Sequence, residues 1–405
     1  MTNPVEVDLE LATGPINVGR AYIVARRGVT TTSFTYSPTF LANPESYAID
    51  PALPVTRGSH TVKGLPGAFA DASPDRWGRH IVTKRVQTEA RSLGKNPGTL
   101  TDRDFLLGVS DVTRQGALRF RLVDGPHLSD GTDVPKLVQL PELRAAAHEA
   151  ELDTGNLAAL KKLLDAGTAS LGGARPKASV QDGSELAIAK FAHQGDQWKV
   201  IAWEAATLKL ARDAGIKTPA FSLHQVGTND PVLVLDRFDR LKSQRINYVS
   251  AMTMLQQEDG THGDYLDLLD VIDEHSEAPS EDREELFRRI AFNYAVNNTD
   301  DHLGNHGFIR GSNGWRLSPA FDVNPNPDVN SEHATSIDGA TNRESGLRAL
   351  MGVSEYFVSA DKRDAILSAI LRSVAQWREA AVSCRIPAAE VELFTPLLDA
   401  RPHIW

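Results

Sequence analysis

A chain of 405 residues that is 41% hydrophobic and 24% charged has the make-up of a globular protein of two or three domains, which excludes disordered and collagen-like classes. Its 43 basic and 53 acidic side chains leave a net charge of −10, so no broad nucleic-acid-binding face is expected, although a local basic patch is compatible with that balance. Cys384 is the single cysteine; it rules out an internal disulfide and cysteine-based zinc sites and fits a reducing cytoplasm.

Glu6, Asp8 and Glu10 stand in the first ten residues without a basic-then-apolar order, so no signal peptide is expected. No apolar run approaches the ~18 residues of a membrane helix. The first 65 or so residues read as β-rich, with strands at 21–25 and 30–36 around an Arg27-Gly28 turn. A helix opens at Asp71-Ala72-Ser73-Pro74-Asp75, with Asp or Ser as cap and Pro74 at the first helical position, and ends before Gly94. A short helix near 104–107 and a strand at 117–122 follow, then a Gly/Pro-rich boundary loop from about 123 to 140.

Helical patterns occupy 141–151 and 156–165, the second with Leu157, Leu160, Leu163 and Leu164 on one stripe. A polar Gly-rich turn at 168–177 precedes a strand at 186–191, a helix at 199–213 and strands at 220–226 and 231–236. The remainder is mostly helical: 264–273, 281–297, 344–352, 361–382 and 387–399. It is interrupted by a hairpin whose arms, 306–310 and 315–318, flank Ser312-Asn313-Gly314.

The stretch Asn298-Thr299-Asp300-Asp301-His302-Leu303-Gly304-Asn305 lies in a loop after an amphipathic helix, with Asp300 and Asn305 five apart. The hairpin follows, and Ala320-Phe321-Asp322-Val323 sets another carboxylate just past it. Phosphoryl transfer needs one Asp to orient a hydroxyl and take its proton, and an Asn and a second Asp to hold magnesium, which prefers hard oxygen ligands. Asp300 rather than Asp301 has the D-x-x-x-x-N spacing of a kinase catalytic loop. Upstream, Ala187-Ile188-Ala189-Lys190 resembles the strand whose lysine contacts nucleotide phosphates, and Glu204 on the next helix is placed to aim it. Strand 231–236 runs into Asp236-Arg237-Phe238-Asp239-Arg240, the position of a hinge that meets adenine, with Asp236 and Phe238 as candidate contacts. His302 and His306 lie in the loop without a third strong ligand; they are expected to orient it rather than to bind zinc.

These residues, together with Ser170-Leu171-Gly172-Gly173-Ala174-Arg175-Pro176-Lys177, Ser73-Pro74-Asp75-Arg76-Trp77-Gly78-Arg79, Gly116-Ala117-Leu118 and Ser318 to Pro325, run in family order over most of the chain. In that combination the chain resembles the HipA-family serine/threonine kinase toxins of type II toxin–antitoxin systems. The resemblance implies an α+β, protein-kinase-like two-lobe fold with an extra N-terminal β-rich subdomain. Its divisions would be an N-terminal subdomain at 1–125, a kinase N-lobe at 140–240 and a helical C-lobe at 241–405.

It implies Asp300 as catalytic base, Asn305 and Asp322 as magnesium ligands, and Lys190 and Lys177 as phosphate contacts. Ser170 would be an autophosphorylated serine beside Gly172 and Gly173, glycines that permit close backbone approach to phosphates. ATP and magnesium would be the cofactors. The partners would be a protein substrate, such as an aminoacyl-tRNA synthetase or other translation factor, and a small HipB-like antitoxin, with DNA reached only through the antitoxin and no membrane. The expected location is cytoplasmic.

The chain departs from ordinary protein kinases in lacking G-x-G-x-x-G, in reading Asn-Thr-Asp for His-Arg-Asp, and in placing Val323 after Asp322. Control through a phosphorylated activation loop is therefore not expected. A small-molecule phosphotransferase of the aminoglycoside-kinase type and a nucleotide-binding pseudokinase that acts by binding a partner stand as alternatives.

Overall fold

The computed structural model describes residues 3–127, 134–152, 156–167, 175–227, 230–242, 244–258 and 260–400. The chain forms two compact units, residues 1–195 with 225–249, and residues 196–224 with 250–405. The α+β class holds, and among the described residues no helix is long and apolar enough to cross a membrane.

The first unit begins with a five-stranded antiparallel sheet of β1 (Val5–Leu11), β2 (Gly14–Arg26), β3 (Val29–Tyr36), β4 (His60–Lys63) and β5 (Leu118–Leu122), ordered β4-β3-β2-β1-β5. The β2–β3 turn falls at Arg27 and Gly28, whose φ values of 51° and 78° suit the twist of a two-residue hairpin loop. Alternation explains the buried face of Val5, Val7 and Leu9. It hides β1 from a periodicity reading, because Glu6 and Asp8 on the opposite face are also buried, answered by Arg20, Asn17 and Arg121.

Helix α1 (Arg76–Ser92) follows, capped by Asp75, whose Oδ1 accepts from the Gly78 N–H at 2.6 Å. Pro74 thus stands ahead of the cap, not at the first helical position. Helices α2 (Leu140–Glu151) and α3 (Leu157–Asp165) pack with α1 against β6 (Lys177–Asp182), β7 (Glu185–Lys190) and β8 (Asp230–Asp236), three antiparallel strands of a four-stranded sheet. Residues 178–182 were not expected to form a strand: Lys177 opens β6 instead of closing a loop. Trp77, Leu160, Val180, Ala189 and Val234 share this core.

The second unit is mostly helical: α4 (Val200–Asp213), α5 (Tyr265–His275), α6 (Pro279–Val296), α7 (Arg343–Val353), α8 (Ala360–Val374), α9 (Trp377–Ser383) and α10 (Ala388–Leu398). The single helix expected at 361–382 is two, broken at Ala375-Gln376. The hairpin is β9 (Gly307–Arg310) with β10 (Trp315–Leu317), paired Phe308 to Leu317. Its loop, 311–314, is the one the expected arms leave between them. It spans four residues, neither Asn313 nor Gly314 has a positive φ, and Glu277 accepts the Asn313 N–H at 2.9 Å.

Candidate active site

In the first unit, β6 and β7 pair so that Lys177 lies directly opposite Lys190. Directly opposed residues of an antiparallel pair share one face, and like charges there oppose pairing. Both lysines are nearly buried, at 3% and 7% exposure. A carboxylate answers the first: Asp75 Oδ2 lies 3.0 Å from Lys177 Nζ. Two nearly buried lysines opposed on one strand pair suit an anion with several oxygens.

Ahead of the Gly-rich stretch, Gly167 has a φ of +63° and an added Cβ there would collide with Thr113 Oγ1. At the far end of that stretch the Pro176 carbonyl accepts from Phe191 N–H at 2.9 Å. Ser170, Gly172 and Gly173 lie outside the described residues.

After β8 the chain enters Asp236–Arg240. Asp236 is exposed, and burial of its carboxyl, then Asp182 and Glu185, raise its pKa. Phe238 is half-buried, its ring 6.0 Å from Tyr248. Arg237 and Asp239, on either side of Phe238, are buried. Asp239 accepts from Arg237 at 2.8 Å, from Arg240 at 2.8 Å and from the Gly116 N–H at 2.7 Å. Burial alone would raise the Asp239 pKa, but Arg237 and Arg240 hold it far below the usual carboxylate range. Arg240 also donates to the Arg114 carbonyl at 2.6 Å. The hinge-like segment is thereby tied to residues 114–116. The Gly116 signal was present in the sequence, but not the identity of its partner.

In the second unit, α6 ends at Asn297, with a left-handed φ of 57°, and the loop 298–305 follows. Asp300 and Asp301 separate sharply. Asp301 is sunk and accepts from Asn293 Nδ2 at 2.7 Å, from His306 Nε2 at 2.9 Å and from the Tyr265 hydroxyl, while Thr335 donates to its carbonyl at 2.6 Å. Burial would raise its pKa, but His306 and Tyr265 hold it below the usual carboxylate value. Asp300 is exposed. Its carbonyl takes the His302 N–H at 2.9 Å and Asn305 Nδ2 at 2.9 Å. The five-residue spacing therefore closes the turn on itself, and the Asn305 amide nitrogen is used inside it while Oδ1 remains the donor a cation could take.

His302 Nδ1 accepts the Gly304 N–H at 3.1 Å, whereas His306 is buried on Asp301, so the two histidines serve different parts of the loop. Asp322 has a φ of 56°, a conformation that short polar side chains tolerate best outside glycine. Its neighbours Phe321 and Val323 line one small cavity with Asn305 and Asp301. Asn305 and Asp322 are hard oxygen donors, the chemistry that fits magnesium. The Asn297 and Asn298 side chains bind the segment after Asp322, at the Asn326 carbonyl (2.8 Å) and the Asn324 N–H (3.4 Å). Asparagine-rich spacing alone does not disclose these ties.

Glu204 is fully buried on α4. That helix is fixed by Glu390, which accepts from Lys199 N–H at 3.0 Å and Trp203 Nε1 at 3.1 Å, and by Trp203 stacked on Phe394 at 3.9 Å.

Residues 169–384 match the HipA-like C-terminal domain, and residues 17–95 the HipA N-terminal domain. The chain belongs to the HipA family. HipA of Shewanella oneidensis, solved with HipB and its operator DNA, superposes with a TM-score of 0.67 over 98% of this chain and 95% of that one, at 16% identity. The shared fold is thus the α+β, kinase-like one with a β-rich N-terminal subdomain. A Haemophilus influenzae protein whose name proposes a kinase is 26% identical over 144 residues, 31% of this chain and 42% of that protein's length. The Helicobacter pylori proinflammatory kinase CtkA aligns at 16% identity over 53% of this chain and 93% of its own, with a TM-score of 0.37.

Proposed function

We propose that this HipA-family protein is an ATP- and magnesium-dependent protein serine/threonine kinase and the toxin of a toxin–antitoxin pair. The observation that carries the reading is the division of labour in the catalytic loop: Asp301 is the buried strut, and Asp300 is exposed with Asn305 locked beside its backbone. An exposed carboxylate on a rigid turn can hydrogen-bond a substrate hydroxyl and accept its proton as the oxygen attacks.

Magnesium-ATP supplies the phosphoryl group and the charge that neutralises the transferring oxygens. Asn305 and Asp322 would hold the metal, and Lys190 and Lys177 would bind phosphate oxygens. Asp236 and Phe238 would border adenine, and Glu204 would orient Lys190. Ser170, in the Gly-rich loop, would be autophosphorylated. A phosphoserine carries roughly −1.5 to −2 charges and would be repelled by the triphosphate, which turns the kinase off.

A HipB-like antitoxin is the partner that fits. The Shewanella relative was solved with HipB and operator DNA, and the net charge of −10 favours DNA contact through a partner over direct binding. A translation protein such as an aminoacyl-tRNA synthetase is the substrate class we favour. The match of residues 17–95 to a HipA domain argues against a small-molecule phosphotransferase.

The test is transfer of labelled γ-phosphate to protein by the wild type and by Asp300→Ala, with and without magnesium. Intact-mass and peptide mapping of Ser170 accompany it. Magnesium-dependent labelling that Asp300→Ala loses supports the reading; nucleotide binding without any transfer returns it to a pseudokinase.

A further inference from the structure

The segment Ser73–Arg79 has no part in the phosphoryl-transfer assignment, yet its side chains converge on one result. Ser73 Oγ donates to the Phe69 carbonyl at 2.8 Å, fastening the chain to the preceding turn. Arg79 folds back, with Nε on the Pro74 carbonyl at 3.2 Å, Nη1 on Asp102 at 3.0 Å and its guanidinium over the Phe105 ring at 4.6 Å. Trp77, at 5% exposure, is buried in the core that also holds Ala178 and Val180 of β6 and Ala187 and Ala189 of β7. Together these contacts set the first turn of α1 against the lysine-bearing sheet. Asp75 then divides its carboxylate: Oδ1 caps the helix at the Gly78 N–H, and Oδ2 meets Lys177 Nζ.

We infer that Asp75 is a positioning residue for nucleotide binding, holding Lys177 aimed on the strand pair it shares with Lys190 so that the two lysines can take a triphosphate together. The inference rests on the reading of Lys177 and Lys190 as phosphate contacts. An ammonium group has three donor hydrogens, so Lys177 can keep Asp75 and still give N–H bonds to phosphate oxygens. A lysine restrained beforehand loses less rotamer freedom when the anion arrives. Without the carboxylate, Lys177 would lose the ion pair that restrains its Nζ, and with it the fixed direction of its ammonium group. The N-terminal motif thus acts on the nucleotide site through one ion pair.

Asp75→Asn separates this role from a structural one, because Asn caps a helix about as well as Asp but carries no charge. Asp75→Asn should leave the melting temperature close to wild type and raise both the Kd and the KM for magnesium-ATP about tenfold, with a much smaller fall in kcat. In a Lys177→Ala background the same substitution should add almost nothing, since its target is gone. Asp75→Ser, a second uncharged cap, should behave like Asp75→Asn.

The inference is overturned if Asp75→Asn binds magnesium-ATP as tightly as the wild type, or if its effect persists undiminished in Lys177→Ala. A wild-type protein that binds no magnesium-ATP in the same titration strikes the kinase reading itself, and this inference with it.

Discussion

Asn305 donates its side-chain amide to the carbonyl oxygen of Asp300 at 2.9 Å, fastening the two ends of the 300–305 turn to each other. The Asp300 carboxylate itself is exposed on that turn. Asp300→Ala should therefore cut phosphoryl transfer by about 10³-fold or more, since the parts of such a site act as a unit. Its stability should change by no more than about 0.5 kcal/mol, as for most surface substitutions. Transfer assays paired with thermal melts check both halves, and retained activity would remove Asp300 as the base.

Asp301→Ala should show the opposite balance. It strips the acceptor from the Asn293 amide, the His306 ring and the Tyr265 hydroxyl, all buried. Each buried donor left unpaired costs about 1–3 kcal/mol, so several kcal/mol of stability should go. Urea unfolding measures this. A variant as stable as wild type would show that Asp301 is not the strut.

Asp322→Ala should abolish transfer and remove the strengthening of nucleotide binding by magnesium, read by titration with and without the metal. The left-handed backbone at this position, with φ of 56°, adds a second expectation. Asp322→Gly should be more stable than Asp322→Ala by roughly 1 kcal/mol, because only glycine adopts that conformation without strain. An Ala variant equal to Gly in stability would argue that the loop rearranges.

Lys190→Ala should raise the KM for ATP and lower kcat, and Glu204→Ala should do so more mildly, since it would act only by aiming the lysine. Steady-state kinetics with melting controls distinguish the two. Unchanged kinetics in a folded Lys190→Ala would make the strand lysine a structural residue.

His333 is 1% exposed and stacked on Tyr294 with ring centroids 4.0 Å apart. Burial pushes its pKa down to about 4, and the Asp301 carboxylate opposes that only in part. The unfolded chain takes up the proton first, near 6.5, so this contribution to stability is complete above 6.5 and is lost as pH falls toward about 4. At about 1.4 kcal/mol per pKa unit the loss is on the order of 3 kcal/mol. His333→Phe keeps an aromatic ring against Tyr294 and should unfold with a shallower pH dependence across that window. Equal slopes would mean that His333 is not the group responsible.

Local sequence by itself determined the elements whose signals are local. The amphipathic stripe at Leu160, Leu163 and Leu164 and the Arg27-Gly28 turn each depend on residues within a few positions of one another. The order Asp300, Asn305, hairpin, Asp322 was legible for the same reason, since a fixed spacing along the chain is a geometric constraint in miniature.

Tertiary structure decided what no spacing contains. Strand β1 buries Glu6 and Asp8 on the face that alternation would assign to solvent, because Arg20 and Arg121 arrive from neighbouring strands. Asp300 and Asp301 are the same residue type one position apart. Only the packing of Tyr265, Asn293 and His306 around the second makes it a strut and leaves the first exposed. Lys177 and Lys190 become neighbours through strand register, and Asp75 reaches Lys177 from 102 positions away. A carboxylate's role depends on which charges the fold carries to it, and burial makes those few contacts outweigh anything its sequence neighbours contribute.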